Sequence, residues 1–204
     1  MSAQTVLASE AALRAHFQGA VSEALQNQRV EATPASREYL SSLLHEFTRV
    51  AVVPAADPEV RFLHRPLVEL LAEAQAVRGA ERLARLRTLG DLALWFSGYY
   101  PEALARRPVD VDYYVAMGGH AYQRIAMDLE ATGRQTLFEE LSRKFARFVD
   151  VISEVSARDA GRRKPGLLAL YERWLRSRST WAARALCEQG FVPFERDPDD
   201  GLPQ

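Results

Sequence analysis

The sequence predicts an all-α fold, a single-domain helical bundle of about seven to nine helices. Apolar residues recur every three or four positions over most of the chain. No segment alternates apolar and polar residues for long enough to make a half-buried strand. Proline and glycine fall between the periodic stretches, where helices start and stop.

Taken in order, Leu13, Phe17, Val21, Ala24 and Leu25 share one face of a helix over 8–28, a peripheral element that ends in the polar residues 26–29. Thr33 offers an N-cap and Pro34 a first-turn proline for a second helix over 34–51. That helix stacks Leu40, Leu43, Leu44, Phe47 and Val50. Residues 52–60 contain two prolines and an aspartate and read as a loop. A third helix opens at Pro66, carries Leu67, Leu70, Leu71, Ala74 and Val77, and has Gly79 as its C′ residue.

The fourth helix, over 80–97, has an apolar arc (Leu83, Leu86, Leu89, Ala93, Leu94, Phe96) wide enough to be largely buried. Gly98 is placed to end it with a left-handed backbone. Tyr99, Tyr100 and Pro101 form the turn, with room for a short helical segment over 101–107 before Pro108 resets the chain. Asp110 or Asp112 then caps a helix running to about residue 132, with Gly133 behind it.

The clearest periodicity lies over 134–157. There Phe138, Leu141, Phe145, Phe148, Ile152 and Val155 step by three and four alternately, an a/d seam that predicts one continuous central helix. A basic loop follows over 158–164. Pro165 opens a helix bearing Leu168, Tyr171, Trp174 and Leu175, and Ser179 or Thr180 caps a last one bearing Trp181, Ala185 and Leu186. Gly190 ends it. The predicted domain covers 1–194, followed by an acidic, proline-containing tail over 195–204.

Composition excludes several classes of function. With 48% hydrophobic and 26% charged residues the chain reads as an ordinary globular protein. A formal net charge of -1 gives no global field toward nucleic acid or anionic lipid. No apolar run approaches the roughly 18 residues of a membrane span, and residues 1–17 lack the layout of a signal peptide. A single cysteine, Cys187, excludes an internal disulfide framework and a multi-cysteine zinc site, and its place late in a helix predicts a buried or half-buried thiol. Lysine occurs only at 144 and 164, a bias of GC-rich genomes. The expected compartment is the bacterial-type cytoplasm.

Catalytic signatures are missing too. None of His16, His45, His64 and His120 has a glutamate three residues before it, and no His-Glu-x-x-His occurs. Ser97 lacks the first glycine of a nucleophile elbow, neither lysine has a serine three residues upstream, and no glycine-rich phosphate loop is found. Asp91, Glu102, Asp110 and Asp112 read as helix caps and ion-pair partners before they read as an acid/base pair. No catalytic residue, metal or cofactor is expected.

The best candidate site is the stretch 89–122, which holds five of the seven tyrosines, four glycines, Trp95 and Phe96. On a regular helix Tyr113, Met117 and His120 share one side, with Tyr114, Gly118 and Tyr122 on the neighbouring stripe. Adjacent glycines inside a helix cost about 1 kcal/mol each relative to alanine, so something compensates. A tight helix crossing does this, and so does a ligand; the crossing is the preferred reading. The candidate ligand- or partner-binding set is Asp91, Trp95, Tyr99, Tyr100, Asp112, Tyr113, Tyr114, Gly118, Gly119, His120, Tyr122 and Arg124. A second candidate is the basic cluster Arg158, Arg162, Arg163 and Lys164, within a segment 134–178 of eleven basic and six acidic residues.

Three strings, LGDLALWFSGYYPE, VDVDYYVAMGGHAY and LLALYERWLRS, resemble segments of a family of uncharacterised bacterial helical proteins of about this length, over roughly residues 37–190. The resemblance implies a helical domain and a bacterial origin, and no activity.

Three functions follow in rank. The first is a non-catalytic cytoplasmic adaptor or regulatory protein that binds another protein or a second copy of itself, since Tyr, Trp and Arg are enriched at binding hot spots. The second is a small-molecule-binding protein or enzyme with a pocket lined by residues 91–122. Nucleic-acid binding through the loop 158–164 is the third, and no membrane partner is expected.

Overall fold

The computed structural model describes residues 3–51, 65–99, 110–133, 135–159, 171, 174, 180–188, 190 and 191. They form eight α-helices and no strand: α1 (Ala3–Asn27), α2 (Pro34–Ala51), α3 (Leu67–Ala76), α4 (Gly79–Tyr99), α5 (Val111–Leu129), α6 (Thr136–Arg143), α7 (Phe145–Asp159) and α8 (Thr180–Glu188). A 3₁₀ turn, Glu130–Thr132, follows α5. The fold is all-α. The chain groups into two compact units, Met1–Asp159 and Ala160–Gln204.

Local chemistry sets the helix ends. The Ser36 N–H donates to Thr33 Oγ1 at 3.2 Å, so α2 starts at the Thr-Pro signal. Of the two aspartates offered for α5, Asp110 is the cap: its backbone is extended and its carboxylate accepts from the Tyr113 N–H at 3.0 Å. Gly133 and Gly190 adopt positive φ, 67° and 82°, after α5 with its 3₁₀ turn and after α8. Past α8, the Gly190 N–H reaches Cys187 O and the Phe191 N–H reaches Leu186 O, both at 2.9 Å.

In the first unit α4 is the most enclosed element. It packs on α2, α3, α5 and α7, and Leu92, Ala93, Leu94 and Trp95 are buried in succession, so it has no solvent stripe in that turn. α1 is tied to α2 and α7 through Phe17, Val21, Ala24 and Leu25, all buried. Among the described residues, no helix is long and apolar enough to cross a membrane. The second unit has its own small buried cluster of Trp174, Ala182 and Leu186, with the Tyr171 ring 5.9 Å from that of Trp174.

Several expectations are corrected. The segment 134–157 is not one helix: Lys144, at φ -101° and ψ 14°, separates α6 from α7. The seam survives the break, because Leu141, Phe145, Phe148, Ile152 and Val155 are all buried. What changes is the partner, since α6 packs chiefly on α5 while α7 packs on α4 and α1. The Lys144 ammonium holds the joint, donating to Glu31 O at 2.7 Å and to Glu140 Oε1 at 2.8 Å.

Gly98 does not end α4. It stays helical because α7 crosses there: an added Cβ would lie 2.8 Å from Ile152 Cβ, and its carbonyl accepts from the Ser153 hydroxyl at 2.6 Å. Arg158 belongs to α7 rather than to a loop, and Cys187 is exposed, since α8 buries Ala182 and Leu186 on its other side. The predicted loop 52–60, the segment 101–107, the loop beyond Asp159, most of the Pro165 helix and the tail lie outside the described residues.

Candidate functional site

Helix α5 divides the candidate stretch into an inner and an outer face. Tyr114, Gly118, Ala121, Tyr122 and Ile125 are buried, Tyr113 and Met117 are half-buried, and Asp112, His120 and Arg124 face solvent. Gly118 marks a crossing. A Cβ there would overlap the Phe145 ring and come within 2.7 Å of Ala93 Cβ, so α4, α5 and α7 meet where a side chain has no room. Gly119 is different: its nearest neighbour, Phe145 Cβ, would sit at an ordinary 3.7 Å. The space that a pocket beside Gly118 would need is filled by Phe145.

The inner face carries a polar network instead. Asp91 on α4 accepts hydrogen bonds from the Tyr39 hydroxyl on α2 (2.5 Å) and the Tyr122 hydroxyl on α5 (2.6 Å), both at Oδ1. Arg87, one turn earlier on α4, lies 3.4 Å from Asp91 Oδ2, donates to the Tyr39 hydroxyl at 3.2 Å and stacks over its ring. The Tyr39 and Tyr122 rings meet edge to face at 6.1 Å, and Phe138 packs against both. Gly90 permits this, because a Cβ there would lie 2.5 Å from the Tyr122 ring.

Burial pushes the Asp91 carboxyl above the usual carboxylate range, although both tyrosine hydroxyls and Arg87 pull the other way. Burial and the neighbouring carboxylate likewise raise both tyrosines. All four groups are engaged with one another, so the arrangement pins three helices together.

Two further carboxylates are used structurally. Glu140 on α6 accepts from Thr33 N–H (3.2 Å), Thr33 Oγ1 (2.5 Å) and Ser36 Oγ (2.6 Å), and pairs with Lys144. Burial would raise its carboxyl, but bonds from Lys144, Ser36 and Thr33 outweigh it and hold it down to about 2. Glu154 on α7 accepts from Asn27 at 2.8 Å, Gln28 at 2.9 Å and Arg158 at 2.7 Å.

The remaining candidates fall in separate places. Trp95 and Tyr99 stack at 4.3 Å on α4, with Phe47 of α2 against Trp95. The Tyr113 hydroxyl meets the backbone of Val68 in α3, and Tyr114 packs edge to face on Phe96. Tyr100, Arg162, Arg163 and Lys164 lie outside the described residues. Arg158, the described member of the basic cluster, is held by Glu23 and Glu154, both at 2.7 Å. No three or more His, Cys, Asp or Glu among the described residues are grouped to hold a metal ion.

On the outer face, sequence reasoning missed an open groove of about 380 Å³ lined by Gln123, Ala126, Met127, Glu130, Glu139, Ser142 and Arg143. Met127 stands 57% exposed on its wall. Tyr39 and Arg87 were missed as well. The i, i+4 spacing of Arg87 and Asp91 was the one local signal, whereas Tyr39 lies 52 residues from Asp91. No family model matches the chain, and it matches no curated protein and no solved structure.

Proposed function

We propose that this chain is a non-catalytic cytoplasmic protein that acts by binding another protein, as an adaptor or regulator. The observation that carries the reading is the groove between α5 and α6, an open concavity of mixed polarity with Met127 exposed on its wall and charged residues of both signs around it. Methionine is flexible and polarizable, suited to packing against a partner's side chain. The aromatic residues first offered for a site do not add to it: Tyr114 and Tyr122 belong to the core and Asp91 is hydrogen-bonded inside it, so the reading rests on the groove.

The test is affinity capture of the tagged chain, with mass spectrometry of proteins and small molecules in the eluate and a Met127→Asp variant run alongside. A stoichiometric protein that the variant loses supports the reading. A bound metabolite with no protein overturns it in favour of a small-molecule-binding protein. The kinship with uncharacterised bacterial helical proteins, drawn from three strings, belongs to the same proposal. Nucleic-acid binding through 158–164 ranks last, since Arg158 is engaged by two glutamates.

A further inference from the structure

The groove between α5 and α6 has the features of a surface that pairs with itself. Resting on the protein-binding reading, we infer that its occupant is a second copy of this chain, docked across a two-fold axis with the two α6 helices antiparallel. An isologous contact needs one patch to carry both a projection and the depression that receives it. Met127 supplies the projection, and the space bounded by Glu139, Ser142 and Arg143 supplies the depression.

Charge points the same way. Glu139 and Arg143 are spaced i, i+4 on α6, where a glutamate followed by a base ordinarily pairs along the helix. Glu81–Arg85, Glu140–Lys144 and Glu154–Arg158 do pair in that order and at that spacing, at 2.8, 2.8 and 2.7 Å. Among the described residues neither Glu139 nor Arg143 enters an ion pair, and both border the groove. In the antiparallel arrangement Glu139 of each copy faces Arg143 of the other, so both charges find partners twice per dimer. Such a helix-pair contact falls at the small end of specific interfaces, below about 1,200 Å² in total, so the dimer forms reversibly as concentration rises.

Sedimentation velocity over a wide concentration range tests this, with circular dichroism to confirm that each variant folds. The wild type is expected to pass from monomer to dimer. Glu139→Arg and Arg143→Glu should each weaken the dimer by about tenfold or more. An equimolar mixture of the two variants should restore it, because every facing pair is then opposite in sign; a merely structural role for either residue would not produce that rescue. A wild type that stays monomeric, or a dimer unmoved by both reversals, overturns the inference. If the wild type is monomeric while Met127→Asp still loses a captured partner, this inference falls and the protein-binding reading stands. A charge-sensitive dimer whose capture yields no other protein supports the inference and counts against an adaptor for a different chain.

Discussion

Gly118 and Gly119 are adjacent in sequence, yet only one is required by the fold. Alanine at 118 would gain about 1 kcal/mol of helix propensity but must displace the Phe145 ring and the Ala93 methyl. Overpacking of that kind costs about 1–3 kcal/mol or more, so Gly118→Ala should destabilise. Gly119→Ala meets nothing closer than 3.7 Å and should be neutral or stabilise by up to about 1 kcal/mol. Urea unfolding of the pair checks both; equal effects would show that α5 does not cross α4 and α7 at 118. Asp91 allows a second test at this scale. Asp91→Ala strands the buried Tyr122 hydroxyl and the partly buried Tyr39 hydroxyl and should cost about 2–4 kcal/mol, more than Tyr122→Phe, which removes one donor from a carboxylate that keeps others.

Between elements, Glu140 completes the N-terminus of α2 from outside it. In a capping box the glutamate three residues after the cap takes the cap's N–H. Here that position is Ser36, and Glu140, 107 residues away from Thr33, takes the N–H instead. Glu140→Gln should therefore cost about 2–3 kcal/mol, since charge-assisted bonds are the stronger kind. Its pH dependence has a definite sign. The folded carboxyl sits near 2 against an ordinary 4.5, so its stabilisation is fully present above about 4.5 and is lost as pH falls toward 2. Acid titration of stability should be shallower in Glu140→Gln than in the wild type. Asp91 works in the opposite sense: its raised carboxyl favours the folded state below the ordinary 3.8 and loses that contribution as pH climbs through its folded value.

For the whole molecule, the two compact units make separate predictions. The first has a buried cluster drawn from α1 through α7, and Trp174, Ala182 and Leu186 of the second form another. A chain ending at Asp159 should keep its helical circular dichroism and unfold in one cooperative step, because its core is large enough for an independent domain. A broad, non-cooperative melt of that fragment would show that residues beyond 159 are needed to close it. Binding surfaces belong to this scale as well. Tyr114, which the aromatic composition of 89–122 suggests as a contact, is only 4% exposed, and truncating it would test folding rather than recognition.

Helix positions and their buried faces were legible in the sequence, because a period of 3.6 and the chemistry of caps act within a few residues. Thr33, Asp110, Gly133 and Gly190 mark their helix ends where local rules place them, and the seam from Leu141 to Val155 is buried as its spacing requires. What only the tertiary structure decided is which partners those faces meet. The break at Lys144, the helical state of Gly98, the meeting of Tyr39 with Asp91 and the capping of α2 by Glu140 all join residues far apart in the chain. Periodicity gives a side chain's direction about its own helix axis, while packing of the other helices settles what lies there, and from that whether a glycine or tyrosine serves the core or faces a partner.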